Sequence, residues 1–420
     1  MPLEEFYKIK DNIGLHEAWR SRSLNMIASE NVTSDAVGRA VASGLSHKYA
    51  EGWPGARFYQ GCKYFDEIEL TGNSLYYRLF DAQYVDLRPI SGTNANLAVF
   101  FGLASEGDLL MALHTSDGGH ISHTNFGSAG IRGLRVETFP FDQNEMNIDP
   151  DKLVSDILEK KPKILLFGAS LFLFPHPIKE AVDAAAEVGA TIAYDGAHVL
   201  GLIAGKKFQD PLSEGAKVLT GSTHKTFFGP QGGLIVTRGL DDESLGRVQW
   251  GIFPGVLSNH HLHHVAGKAV AAAEMLEFGT SYASQVVKNA RALAESLHAD
   301  GFNVLCEHKG FTESHQVVLD VSALGGGKQV AQDLEDANII SNKNLLPWDP
   351  IENSDNPSGL RIGVAELTRL GMKESEMDDV SAFYRQVAID KKGPEKVGAD
   401  VAEFRKDFQD IHFGYTWDDV

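Results

Sequence analysis

The chain has 420 residues, a composition ordinary for a globular protein, and a net charge of -19 from 38 basic and 57 acidic residues. That length buries a substantial core and favours two domains or more, while the acidic balance excludes a general nucleic-acid-binding role, which needs a basic surface. Only Cys62 and Cys306 are present, residues 1–10 lack an apolar signal core, and no apolar run reaches membrane-spanning length, so a cytoplasmic protein with no membrane partner is expected.

In chain order, the first segment with chemical character is Ser91-Gly92-Thr93-Asn94-Ala95-Asn96. It follows an extended, proline-containing stretch and precedes a helix-like apolar run, Leu97 to Leu103. Small residues and hydroxyls at a helix start present backbone N–H groups to an anion, so a phosphate cup and a plain helix cap both fit. Asp108 to Leu113 reads as a buried strand, and beyond it His120 follows two glycines that permit close backbone approach. Its imidazole suits stacking on a planar ligand or a hydrogen-bonded place in a loop. Strand-like runs recur at Lys163 to Phe167, Thr191 to Asp195, Lys217 to Thr220 and Gly233 to Thr237, with a helix predicted over Lys179 to Val188. Such alternation predicts an α/β fold with a mostly parallel sheet, in which ligands gather at the carboxyl ends of strands.

Asp195 ends one of those strands, and Lys225 follows the next, inside Gly221-Ser222-Thr223-His224-Lys225-Thr226. An amine among hydroxyls, with an acid at the end of an upstream strand, is what pyridoxal 5'-phosphate requires. The lysine forms a Schiff base, and the acid keeps the pyridine nitrogen protonated so that the ring accepts electrons. Farther on, His260, His261, His263 and His264 offer imidazoles at helical spacing. With no cysteine nearby and no second ligand cluster, they fit packing at a helix start and no metal is expected. Val265 to Phe278 is alanine-rich, and Val286, Ala290, Leu293 and Leu297 repeat on one helical face. Gly325 to Gly327 and Trp348 to Gly359 read as loops, and Val397, Val401, Phe404 and Phe408 form a last apolar stripe. Arg361 sits in an apolar, glycine-bearing run, where a lone guanidinium is costly. It fits capture of an amino-acid carboxylate or an internal salt bridge equally.

The segments Met26-Ile27-Ala28-Ser29-Glu30-Asn31, Lys48 to Gly55, Tyr59-Gln60-Gly61-Cys62, Asp195-Gly196-Ala197-His198, Thr223-His224-Lys225-Thr226 and Ser358-Gly359-Leu360-Arg361 stand in an order that resembles the serine hydroxymethyltransferases. The resemblance spans roughly Leu24 to Met372. It implies a fold-type-I pyridoxal-phosphate enzyme with a seven-stranded, mostly parallel sheet and a smaller α+β C-terminal domain. The expected division is an N-terminal arm over 1–35, a large cofactor-binding domain over 36–280 and a small domain over 281–420. It also implies a homodimer whose active sites are shared. Lys225 would carry the Schiff base, Asp195 would meet the pyridine nitrogen, and His120 and His198 would flank the ring. Ser91, Gly92, Thr93 and His224 would hold the phosphate, with Ser170, Thr223 and Tyr49 also at the cofactor. Ser29 and Arg361 would take the substrate carboxylate. Tyr49, Glu51 and Tyr59 would enter from the neighbouring subunit, Glu51 managing protons, and Asn344 would meet a reduced pterin.

Some positions depart from the folate enzymes. Phe58 and Gln60 stand for tyrosine and glycine, Gln231 for arginine, and Thr115 for leucine. Val256-Leu257-Ser258-Asn259 replaces Gly-Gln-Gly-Gly, which makes Ser258 and Asn259 candidate side-chain donors to the phosphate. These departures resemble the archaeal branch, which implies tetrahydromethanopterin or another modified pterin in place of tetrahydrofolate. The rival readings are a pterin-independent threonine aldolase or transaldolase on the same scaffold, an aminotransferase, and a catalytically silent binding protein.

Overall fold

The computed structural model describes residues 2–418. Met1, Asp419 and Val420, the outermost positions of the expected arm and C-terminal domain, lie outside the described residues. Two compact units form: one is Asn31–Val287 with the tail from Phe413, the other Lys288–His412 with the segment up to Glu30.

The larger unit is built on a seven-stranded sheet. Its strands are β1 (Tyr84–Asp86), β2 (Leu109–Ala112), β3 (Arg135–Thr138), β4 (Ile164–Phe167), β5 (Thr191–Asp195), β6 (Val218–Ser222) and β7 (Gly233–Thr237). They lie in the order β1-β7-β6-β5-β4-β2-β3, and β7 alone runs antiparallel to its neighbours. The mostly parallel seven-stranded sheet expected from the resemblance is therefore present. β2, β4, β6 and β7 are buried along their whole length, as strands covered by helices on both faces must be. β1 and β3 gave no signal because they are short edge strands, and Arg-Val-Glu-Thr of β3 is mostly exposed.

Helix Gly92–Leu103 packs on this sheet, its Ala98, Val99 and Phe100 meeting a core with Leu110, Ile164, Leu166, Ala193, Val218 and Ile235. Each large apolar side chain buried there contributes about 1.5–3 kcal/mol. The helix begins at Gly92, five residues before the apolar run, because Ser91 caps it: its Oγ accepts from Asn94 N at 3.0 Å. Ile178–Val188 covers a neighbouring strip and ends at Gly189 in the left-handed region. The two apolar stretches around 265–297 form one 38-residue helix, Leu262–Ala299. No described helix is long and apolar enough to cross a membrane.

The smaller unit holds an antiparallel sheet of β8 (Asn303–Val304), β9 (Gln316–Asp320), β10 (Asn342–Asn344) and β11 (Gly359–Gly363), ordered β8-β9-β11-β10. Leu24–Asn25 pairs in parallel with Ile339–Ile340, which joins the start of the chain to this unit. Within 348–359, expected as a loop, there is a 3-10 turn at Ile351–Asp355. Gly327 opens helix Gly327–Asp336, and only Gly325 and Gly326 remain outside it.

Candidate active site

The carboxyl ends of β1, β2, β4, β5 and β6 all point to one edge of the larger unit's sheet. A cavity of about 230 Å³ opens there. Ser91, Gly92 and Thr93 enter it after β1, His120 after β2, Ser170 after β4, Asp195 and His198 at and after β5, and His224 and Lys225 after β6. Residues predicted from segments more than a hundred positions apart thus share one wall. Ser222 and Gln231 also line it.

Asp195 is 6 % exposed, and its carboxylate is held by three donors: Ala197 N at 2.9 Å, Asn96 Nδ2 at 2.7 Å and His123 Nε2 at 2.9 Å. Burial by itself pushes its pKa up. The His123 hydrogen bond and charge, the nearby His120 and the Asn96 amide outweigh that and hold the carboxyl well below its usual range. An ionised acid therefore faces the cavity at neutral pH. Asn96 Oδ1 in turn accepts from Thr220 Oγ1 at 2.6 Å. Asn96 ends the motif that begins at Ser91, and His123 lies three residues after His120, yet nothing in one dimension marked them as partners of Asp195.

The turn carrying Lys225 is fixed from several sides. Asn31 Nδ2 donates to Lys225 O at 2.7 Å and to Tyr282 Oη at 2.9 Å. Thr226 Oγ1 donates to His198 O at 2.7 Å and accepts from Gly201 N at 3.0 Å. Thr223 differs from the expectation: it is fully buried, and its hydroxyl donates to Pro230 O at 2.8 Å, closing the turn without lining the cavity. His224 Nδ1 is buried and has no hydrogen-bond partner. Burial, helped by Lys225 and Lys268, lowers the His224 pKa to about 4, so the ring is neutral at pH 7. His120 Nδ1 accepts from Ser122 N at 3.2 Å and lies 2.8 Å from Ser122 Oγ, so the ring is both a hydrogen-bonded loop residue and part of the cavity wall.

Other expected site residues lie elsewhere. Tyr49 and Tyr59 are 55 % and 45 % exposed, with rings 5.3 Å apart, and neither they nor the half-buried Glu51 line this cavity. Ser258 is exposed. The Asn259 amide is committed within the chain, with Oδ1 accepting from Ala50 N and Nδ2 donating to Lys48 O, both at 3.0 Å. In the smaller unit, Arg361 on β11 is 9 % exposed, and burial lowers its pKa to about 10. Its Nε and Nη2 reach Asn342 Oδ1 at 3.4 Å. Ser29 and Asn344 are half-buried in the same unit. The rings of His261, His263 and His264 stand 4.4–5.7 Å apart at the start of the long helix, and His264 Nδ1 lies 2.5 Å from Gln231 O. Among the described residues no group of three or more His, Cys, Asp or Glu is arranged to hold a metal.

An orphaned imidazole nitrogen beside hydroxyls and a helix N-terminus suits a phosphate, while an ionised acid and a buried amine in the same cavity suit a pyridine ring and an aldehyde. The donor set therefore fits pyridoxal phosphate. Residues 6–384 match the family model described as serine hydroxymethyltransferase. The chain belongs to the serine hydroxymethyltransferase family. It is 59 % identical over 413 residues to the serine hydroxymethyltransferase of Pyrococcus abyssi, covering 98 % of this chain and 97 % of the relative. It is 61 % identical over 403 residues to that of Thermococcus kodakarensis (95 % and 94 % covered) and 59 % over 408 to that of Methanocaldococcus jannaschii (96 % and 94 %). A solved structure of L-threonine transaldolase from Pseudomonas fluorescens is similar at a TM-score of 0.89 and 29 % identity, over 99 % of this chain and 94 % of that one. The family's pyridoxal-phosphate transferase fold accounts for the sheet order and the place of the cavity.

Proposed function

We propose that the chain reversibly converts L-serine and a reduced pterin to glycine and the methylene-pterin, with pyridoxal 5'-phosphate as cofactor. The carrying observation is the joint placement of Lys225, ionised Asp195 and the Ser91–Thr93 and His224 cradle in one cavity. When bound, the cofactor supplies an electron-accepting ring that weakens the serine Cα–Cβ bond. Lys225 offers its amine to the aldehyde carbon, and Asp195, kept ionised by Asn96 and His123, holds a proton on the ring nitrogen. His120 and His198 orient the ring, Ser170 contacts it, and Ser91, Gly92, Thr93 and neutral His224 donate to the phosphate. Ser29 and Arg361 take the substrate carboxylate and so select which Cα bond is aligned for cleavage.

The exposed Tyr49 and Tyr59 and the half-buried Glu51, with Ser258 beside Asn259, serve the cavity of a second copy in a homodimer, where Glu51 moves the proton of the serine hydroxyl. Asn344 meets the pterin. The carrier is of the tetrahydromethanopterin type, a reading supported by Thr115, Phe58 and Gln231 and by the archaeal relatives. The likeness to L-threonine transaldolase favours a second reading, pterin-independent aldol chemistry.

The test is the visible spectrum of purified protein with glycine, before and after tetrahydromethanopterin or tetrahydrofolate, together with conversion of L-serine to glycine in the presence of each pterin. A yellow protein that gains a long-wavelength band and faster turnover with tetrahydromethanopterin is expected. Equal or better turnover with tetrahydrofolate overturns the carrier assignment. Threonine cleavage with no pterin response selects the second reading, and a colourless protein that binds no cofactor overturns both.

A further inference from the structure

Lys268 lies within the helix Leu262–Ala299 and is 1 % exposed. Its Nζ donates to three backbone carbonyls: Leu87 O at 2.7 Å, Pro89 O at 3.0 Å and Gly233 O at 3.0 Å. A neutral amine has two hydrogens, whereas three acceptors at these distances match an ammonium. Two of the carbonyls lie between the end of β1 and Ser91, and the third opens β7, directly after the turn that carries His224 and Lys225. The same junction is closed by Gly233 N donating to Pro89 O at 2.8 Å and Thr223 N donating to Gly232 O at 3.1 Å. A Cβ on Gly232 would fall 2.2 Å from Lys268 Cε, so the turn is wrapped tightly on the lysine stem.

We propose that Lys268 is a positioning residue of the anion cradle, its buried ammonium drawing together the segments that carry Ser91–Thr93 and His224–Lys225 and supplying positive charge behind the cradle. Nothing in the overall charge of -19 provides such a field. The inference rests on reading this cavity as the phosphate site. The titratable and charged groups facing Lys268 are Asp86 on β1, itself paired with Arg88, then the imidazoles of His224 on the lysine turn and His264 one helical turn earlier. Burial lowers the Lys268 pKa to about 7, against the opposing pull of Asp86. An anion in the cradle stabilises the ammonium, so anion binding and protonation of Lys268 are linked, and a proton enters with the anion above pH 7.

The test uses the full-length chain freed of cofactor, with inorganic sulfate, a dianion throughout the range, as probe. Binding is followed by calorimetry at pH 8 in two buffers of different ionisation heat. Wild type is expected to bind sulfate with net proton uptake. Lys268→Met, which keeps the stem on Gly232, and Lys268→Gln, which keeps a donor without the charge, are expected to bind sulfate and pyridoxal phosphate at least tenfold more weakly without proton uptake. Lys225→Met is expected to keep the uptake, since His224 titrates too low to supply it. Unchanged sulfate affinity in folded Lys268 variants, or uptake that disappears in Lys225→Met, overturns the proposal. Should both Lys268 variants fail to fold, the uptake by Lys225→Met decides alone: present, it supports the linkage, and absent, it refutes it. Wild type that binds sulfate but never pyridoxal phosphate contradicts the cofactor reading itself, which is a separate outcome.

Discussion

Replacing Asn96 with alanine isolates the support of Asp195. The side chain is 1 % exposed: its Nδ2 donates to the Asp195 carboxylate at 2.7 Å and, over longer distances, reaches Ser122 Oγ at 3.3 Å and His123 Nε2 at 3.4 Å, while its Oδ1 accepts from Thr220 Oγ1 at 2.6 Å. A hydrogen bond to a charged group contributes about 1.5–3 kcal/mol and a neutral one about 0.5–1.5 kcal/mol. Asn96→Ala is therefore expected to cost about 2–4 kcal/mol of unfolding free energy. Thr220→Val removes only the neutral bond and should cost about 1 kcal/mol. A double-mutant cycle of Asn96→Ala with Asp195→Asn, read by denaturant unfolding, should give a coupling of about 1.5–3 kcal/mol. The pH dependence follows from the depressed pKa of Asp195. Stabilisation by a carboxylate held low is fully present above its unfolded value of about 3.9 and is lost as pH falls through the folded value. The excess cost of Asn96→Ala over Thr220→Val should accordingly stay constant from neutral pH down to about pH 4 and shrink only below it. Equal costs for the two variants, with no coupling to Asp195, would refute the claim that Asn96 holds this acid in its ionised form.

Further outcomes follow from the same geometry. The His224 ring, held at about 4 by burial, should show a histidine titration midpoint near that value in cofactor-free protein, measured by NMR. Because the neutral ring is favoured, this residue should lower stability as pH falls from about 6.5 toward 4, and bound sulfate should move the midpoint up. Gly168→Ala should destabilise the protein by at least about 2 kcal/mol in denaturant unfolding, since Gly168 has φ +105° and its Cβ would lie 2.0 Å from Asp195 O. Arg57 bonds Asp66 and Glu69 at 2.8 and 2.7 Å and donates to Ala50 O and Gly52 O on either side of Glu51. Arg57→Met should cost about 3–5 kcal/mol, because it leaves Glu69 buried without its partner, and it should lower turnover more than it weakens cofactor retention.

Much of this protein could be read along the chain. β5 and β7 match the predicted strands residue for residue, because strands buried on both faces must be apolar throughout and therefore stand out in one dimension. Lys225 and Asp195 announced themselves through residue type and setting, since an amine among small hydroxyls and an acid ending a buried strand are costly places for charge without a purpose. The edge strands β1 and β3 did not: β1 is three residues long with a buried Asp86 in place of an apolar side chain, and the exposed β3 imposes no apolar pattern on its four residues.

Tertiary structure decided what the pattern left open. Asn96 and Asp195 are 99 positions apart and His123 and Asp195 are 72 apart; they meet because the sheet order and the helix Gly92–Leu103 bring their ends to one edge. The same packing turned Thr223 inward to close its own loop and committed the Asn259 amide to the backbone around Tyr49. It also buried Lys268 against three carbonyls, where the sequence showed only a lysine in an alanine-rich helix. Local chemistry is a property of single residues and their neighbours, so the sequence by itself determined the fold class and marked Lys225 and Asp195 as the candidate reacting groups. Hydrogen-bond partners across the sheet depend on strand order and register, and those exist only once the core has closed.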